Sequence, residues 1–297
     1  MAISLPDEVR ASCALIAENA RSVTIDLDAL EALDPGPAPA PDGERHLLEG
    51  RPEDVAAYFL TLDTINFGSG WFPTLHKRLD HDGRPVSGDF TVAWALADRF
   101  RGVGPWTNAD LRALRTEEVA DTLGQPRDHE LMALYAQALR DLGRFLGDRH
   151  ALDLVAASGG SAATLARGLA GGMALYDDRG FWKRAQIVPS NLALAGVAEF
   201  GDLERLTIFA DNLVPHVLRC AGVLRYAPGL ADLIDAGRLL RPGPQEQEIR
   251  ACAVHACELL SARTGLPPRE LDLRLWTRGQ DPAIKHRQRH RCRCVSY

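Results

Sequence analysis

The 297-residue chain contains no apolar run approaching the ~20 residues that a membrane-spanning helix needs. Its opening residues, Met1 to Asp7, lack the charged start and apolar core of a secretion signal, so the expected location is cytoplasmic, with no membrane partner. Positive charge is not in excess either. Against 40 Asp and Glu stand 34 Lys and Arg, a formal charge of −6. A general nucleic-acid binder rests on a broad basic face, so direct binding to nucleic acid is not expected. Cysteine motifs are missing as well. Of Cys13, Cys220, Cys252, Cys257, Cys292 and Cys294 none form a CxxC, and most fall in helical patterns, where a free thiol behaves as a small hydrophobe. A disulfide framework is not expected in a chain of this size and compartment. The sequence has no internal repeat, heptad array or long linker.

What is present reads as a helical globular protein. Hydrophobic residues make up 46% of the chain, enough for a substantial core. Val9, Cys13, Ile16 and Ala20 fall on one face of an opening helix. From Asp34 to Glu44 alternating prolines remove donors and fix φ, and the stretch 34–50 is a loop. A helix from Pro52 runs into Asp63-Thr64-Ile65-Asn66-Phe67 and stops at Gly68-Ser69-Gly70. Phe72, Leu75 and Leu79 then precede Asp80-His81-Asp82-Gly83, whose Asp-Gly step favours a hairpin turn. Further helices are expected at 90–100, 107–115, 128–147, 161–172, 181–198, 211–224, 228–238, 245–263 and 268–278. Within 245–263, Ile249, Cys252, Ala256 and Leu259 have the spacing of one buried face. The fold class is mainly α: a single helical domain over 1–297, with a small β-hairpin element around 71–90 and a basic tail at 285–297.

Several polar residues in apolar surroundings are candidates for a site, each with a plainer explanation beside it. Asp211 precedes the apolar stripe Leu213, Val217, Ala221 and Leu224, so it reads as a helix N-cap. A carboxylate there is also kept ionised by the helix dipole, which suits catalysis. Lys183 is either a surface lysine lying along apolar neighbours or a desolvated amine paired with Asp211. Asp63 and Asn66 would cap a helix end, or, with Phe67 and Trp71 nearby, line a pocket for a planar heterocycle. Glu246 and Arg250 are four apart, an ordinary helix ion pair, although the glutamate could bind a ligand amine. In the tail, His286, His290, Cys292 and Cys294 interleave with arginines at a spacing that matches no standard zinc site, and no metal is expected. Arg291 and Arg293 suit a phosphate, or are merely solvated.

Five segments, in order, resemble the queuosine salvage protein family: Asp63-Thr64-Ile65-Asn66-Phe67; Phe181-Trp182-Lys183-Arg184-Ala185-Gln186-Ile187; Thr207-Ile208-Phe209-Ala210-Asp211; Gln245-Glu246-Gln247-Glu248-Ile249-Arg250; and the ending from His290 to Tyr297. The resemblance implies a fold akin to helix-hairpin-helix DNA glycosylases acting on a free mononucleotide. The reaction it implies is hydrolysis of the N-glycosidic bond of queuosine 5′-monophosphate, releasing queuine for return to tRNA. Asp211 then stabilises a cationic ribose or activates water, and Lys183 assists. Asp63, Asn66, Phe67, Trp71, Glu246 and Tyr297 fall to base recognition and closure of the site, Arg291 and Arg293 to the phosphate. A cofactor-free monomer taking a small-molecule substrate is expected. The competing expectation is a helical protein that binds a modified nucleoside or nucleotide without cutting it.

Overall fold

Most helices begin where the sequence supplies a cap. The Ser87 hydroxyl accepts from the Phe90 amide at 3.1 Å and starts the helix Gly88–Val103. Thr107 and Asp110 exchange reciprocal bonds at the head of Asn108–Ala113. Pro52, Pro244 and Pro268 stand at first positions, where a missing N–H costs nothing. A computed structural model describes residues 3–297, and among these are fifteen α-helices and one two-stranded sheet. Among the described residues no helix is long and apolar enough to cross a membrane, and the six cysteines are free thiols.

The helix Pro244–Thr264 runs through the middle, packed by Leu5–Glu18, Leu213–Cys220 and Pro268–Arg278. It is buried nearly all round, which alters the one-face expectation: Leu259 is 38% exposed and its neighbour Leu260 fully buried. A helix enclosed on most sides does not need a single apolar stripe. The helix Lys183–Leu194 lies between Ala162–Gly172 and Pro52–Thr64.

The sheet is not where the sequence suggested. It joins Val23–Ile25 antiparallel to Leu224–Tyr226. Around 71–90 the Asp80–Gly83 turn does form, with Gly83 N–H donating to the Asp80 carbonyl at 3.0 Å. Only the Leu79–Pro85 bridge follows. Ser87 caps the next helix two residues later, so the second arm is too short for a ladder and the hairpin stays a turn. The helix expected over 211–224 is correspondingly shorter, Leu213–Cys220, and gives way to the strand.

The proline-rich loop is fixed by arginines from the neighbouring helices. Arg274 Nη1 donates to the Gly36 carbonyl at 2.6 Å and Arg278 Nη1 to that of Asp34 at 2.8 Å. Beyond this anchor, Ala38 to Asp42 form part of a cleft wall.

Candidate active site

Lys183 stands at the first position of its helix, and Trp182 before it adopts φ 52°, the one positive φ outside glycine among the described residues. A bulky residue holds that conformation only where its surroundings dictate it. Here the Trp182 amide donates to the Asp178 carbonyl at 2.8 Å, and the Asp178 carboxylate takes the Lys183 amide at 3.1 Å. The same carboxylate is clamped by Arg250 through bonds of 2.9 and 2.7 Å, and both side chains are buried. Arg184 follows into the core, stacked between the rings of Phe67 and Tyr176 at 4.7 and 4.5 Å, and donates to the Thr64 and Leu175 carbonyls. The local sequence thus aims Lys183 one way and ties its neighbour to the end of the helix Pro52–Thr64.

Thr207 to Asn212 belongs to no helix or sheet, so side chains must satisfy its buried backbone. The Gln186 carboxamide accepts from the Thr207 amide at 3.1 Å and donates to its hydroxyl at 2.9 Å. Asp272 accepts from the Phe209 amide at 2.8 Å, and Arg250 Nε donates to the Ala210 carbonyl at 2.9 Å. Asp211 then caps Leu213–Cys220: Oδ1 accepts from the amides of Leu213 and Val214 at 2.7 and 3.0 Å. Its Oδ2 has no hydrogen-bond partner among the described residues. Arg250 therefore braces both the turn that carries Lys183 and the segment that carries Asp211.

These groups meet in a cleft of about 630 Å³. Its apolar wall includes Phe59, Phe72, Phe90 and Trp276, the last two edge-to-face at 5.3 Å. Its polar wall includes Asn66, Asp89, Lys183, Asn191, Asp211 and Arg289. Lys183 is 4% exposed, and its ammonium donates to the Asn66 side chain at 2.7 Å and the Asn66 carbonyl at 3.0 Å. No ion pair joins it directly to Asp211. Burial pushes the lysine pKa down, while the charges of Asp211, then Asp89 and Asp63, pull it up. Burial likewise raises Asp89, with Lys183 opposing and Asp211 reinforcing the rise. Arg289 is lowered by burial against the pull of Asp211. Neither Asp89 nor Arg289 has a hydrogen-bond or ion-pair partner among the described residues.

Of the residues singled out in the sequence, Asp211, Lys183, Asn66 and Tyr297 line the cleft together. Asp63 lies behind it, completely buried, its carboxylate accepting the Asn191 amide at 2.9 and 3.1 Å. Phe67 packs edge-on to Tyr135. Trp71 Nε1 donates to Glu130 at 2.7 Å. Glu246 is buried 3.5 Å from Arg250. Arg291 donates to the Gly237 carbonyl at 2.6 Å, and Arg293 pairs with Glu130 and lies over the Trp71 ring. These six are outside the cleft wall. No three His, Cys, Asp or Glu side chains converge to hold a metal among the described residues. Of the wall residues that escaped sequence reading, three belong to the polar group around Lys183 and Asp211. Asp89 reads as a first-turn helix acid, Asn191 as a lone polar position in a helix, and Arg289 as one arginine of a basic tail.

The family model described as queuosine salvage protein matches residues 46–297. A protein of Sphaerobacter thermophilus named queuosine 5′-phosphate N-glycosylase/hydrolase is 33% identical, over 95% of each chain. Mouse and cattle proteins of the same name are 28% and 30% identical, the first over 98% of this chain and 99% of its own, the second over 84% and 83%. The family model begins after the prolines of the 34–50 loop and takes in Asn66, Asp89, Lys183, Asn191, Asp211 and Arg289. By that match, this chain belongs to the queuosine salvage protein family.

Proposed function

We propose that this protein hydrolyses the N-glycosidic bond of queuosine 5′-phosphate and releases queuine for salvage into tRNA. The observation that carries the reading is Asp211, held by its cap on a cleft wall with one carboxylate oxygen uncommitted, beside a buried lysine. Membership of the family supplies the substrate. The cleft volume suits a mononucleotide and is too small for a duplex, and the formal charge of −6 fits a free nucleotide better than a polyanion. We take the whole chain as one unit, because the main core draws residues from Leu5 to Leu275 and only a small satellite cluster of Ala162, Leu206 and Phe209 stands apart from it.

Chemistry assigns the labour. Queuine is a 7-deazaguanine, so protonation at N7, the usual way to loosen a purine, is closed. More of the barrier must be lowered at the sugar. Asp211 Oδ2 faces the ribose as positive charge develops at C1′, and stabilises it or orients the attacking water. Lys183 holds Asn66 and its carbonyl in place and sets the field in which Asp211 works. The aromatic wall takes the base. Arg289, without a partner among the described residues, takes the 5′-phosphate as a guanidinium fork.

The test is release of queuine from queuosine 5′-monophosphate, followed by mass-resolved chromatography. Wild type releases the base, and Asp211→Asn loses about 10²–10³-fold in kcat or more. Lys183→Met falls in both turnover and substrate affinity. Tight binding by wild type with no release makes the protein a nucleotide-binding module instead.

A further inference from the structure

A glycosidic bond to a deazapurine has a second requirement: the departing base must receive a proton, and N7 cannot take it. The donor must be a carboxyl that faces the same cavity as Asp211 and has neither oxygen tied up by the fold. Asp211 is excluded, because its Oδ1 accepts from two backbone amides and its Oδ2 is already assigned to the sugar. Asp272 is excluded too, since it accepts from the Phe209 amide. Asp63 is turned to Asn191 behind the wall.

Asp89 meets both conditions. It stands in the first turn of Gly88–Val103, half-buried on the cleft wall opposite no fixed partner. The cap of that helix is already supplied by Ser87, so the carboxyl is not needed for it. We propose that Asp89 is the general acid of the reaction, delivering its proton to the base as the bond to C1′ breaks. This rests on the hydrolytic reading above.

At a helix N-terminus the dipole favours the ionised form. Desolvation and the charge of Asp211 act against it and raise the pKa overall. The charged groups whose fields reach Asp89 are Lys183, His46, Arg289 and Lys77, which favour its anion, and Asp211 and Asp63, which favour its acid. The division resembles other sites where two carboxyls in unlike environments split acid and base duties. The C1′–N bond breaks with its electron pair going to the base, and the Asp89 proton goes to the base nitrogen. The oxygen of water bonds to C1′, and the proton it sheds passes to Asp211. Exchange with solvent returns both carboxyls to their starting forms.

The experiment compares two substrates that differ in leaving group. Queuosine 5′-monophosphate needs a proton on the base; ribofuranosyl 5-phosphate carrying p-nitrophenolate does not. Asp89→Asn loses about 10²–10⁴-fold in kcat on the first and stays within about tenfold of wild type on the second. In wild type, release of queuine falls as pH rises through the Asp89 pKa, and that limb disappears in the variant. Asp89→Glu restores queuine release to within about tenfold of wild type, because it keeps the proton. Equal loss on both substrates with no rescue by glutamate, or no loss on either, overturns the assignment. Asp211→Asn, run beside it, loses activity on both substrates if the hydrolytic reading holds. Wild type inert on both removes that reading and Asp89 with it.

Discussion

At the scale of single residues, the group whose chemistry departs furthest from its sequence reading is Asp63. It is completely buried, and burial pushes its pKa up to about 7, with Lys183 and the Asn191 amide only partly offsetting the rise. Protonation therefore follows folding. As pH rises past the ordinary carboxylate range, the unfolded chain gives up this proton first, while the folded chain still holds it. The stability Asp63 contributes is fully present below its unfolded pKa and is lost between about pH 4 and about pH 7, at up to about 1.4 kcal/mol per pH unit. Urea denaturation across that window should give wild type a downward slope that Asp63→Asn lacks. Parallel slopes would mean that Asp63 is ionised in the fold. Nothing in a sequence distinguishes this carboxyl from a helix-end cap. Burial by residues far along the chain sets its state.

At the scale of elements, the Arg250–Asp178 pair joins the two stretches that carry Lys183 and Asp211. Removing Asp178 leaves the buried guanidinium with a single counter-charge, Glu246 at 3.5 Å, beside its bond to the Ala210 carbonyl. Asp178→Ala should cost about 3–5 kcal/mol in denaturant unfolding. Replacing both partners, Asp178→Leu with Arg250→Met, should recover much of that stability, since apolar substitutes of similar volume avoid the desolvation penalty. Turnover should stay low in the double variant, because the Lys183 amide and the Ala210 carbonyl have lost their anchors. Full recovery of turnover would show that the clamp does not position the site. The sequence was legible at this scale where structure is local. The expected helix 268–278 coincides with Pro268–Arg278, and 245–263 lies within one residue of Pro244–Thr264 at each end, because proline starts and the C-terminal glycine are local signals. The pairing of Val23–Ile25 with Leu224–Tyr226 was not, because strands of three residues two hundred positions apart leave no local trace. The site followed the same division. Lys183 and Asp211 stood out as polar residues at apolar edges, whereas Asp89, Asn191 and Arg289 look ordinary until folding turns them to one cavity.

At the scale of the whole molecule, the basic tail acts as a strap rather than a free anion-binding arm. The Leu240 amide donates to the Arg291 carbonyl at 2.8 Å, and Asn212, next to the candidate catalytic aspartate, donates to the His290 carbonyl at 3.1 Å. At its far end the Tyr297 oxygen accepts from the Gly68 amide at 2.9 Å, and the tyrosine ring, 2% exposed, closes one side of the cleft. The strap thus links the loop after Pro52–Thr64 to the segment bearing Asp211, and it delivers Arg289 to the wall between them. Its tightest passage is at Gly70, where a Cβ would overlap the Cys292 carbonyl and stand 2.8 Å from the Arg293 nitrogen. Both obstacles are backbone, so neither can rotate away. Gly70→Ala should therefore lift the strap, costing about 1–3 kcal/mol of stability and raising KM for queuosine 5′-monophosphate as Tyr297 and Arg289 leave their places. Gly168→Ala is the matched control: it lies within a helix, a Cβ there meets nothing within 4 Å, and it should add about 0.5–1 kcal/mol without touching KM. If the two variants bind substrate equally well, the tail is packing alone, and the phosphate site must be sought among residues that do not depend on it.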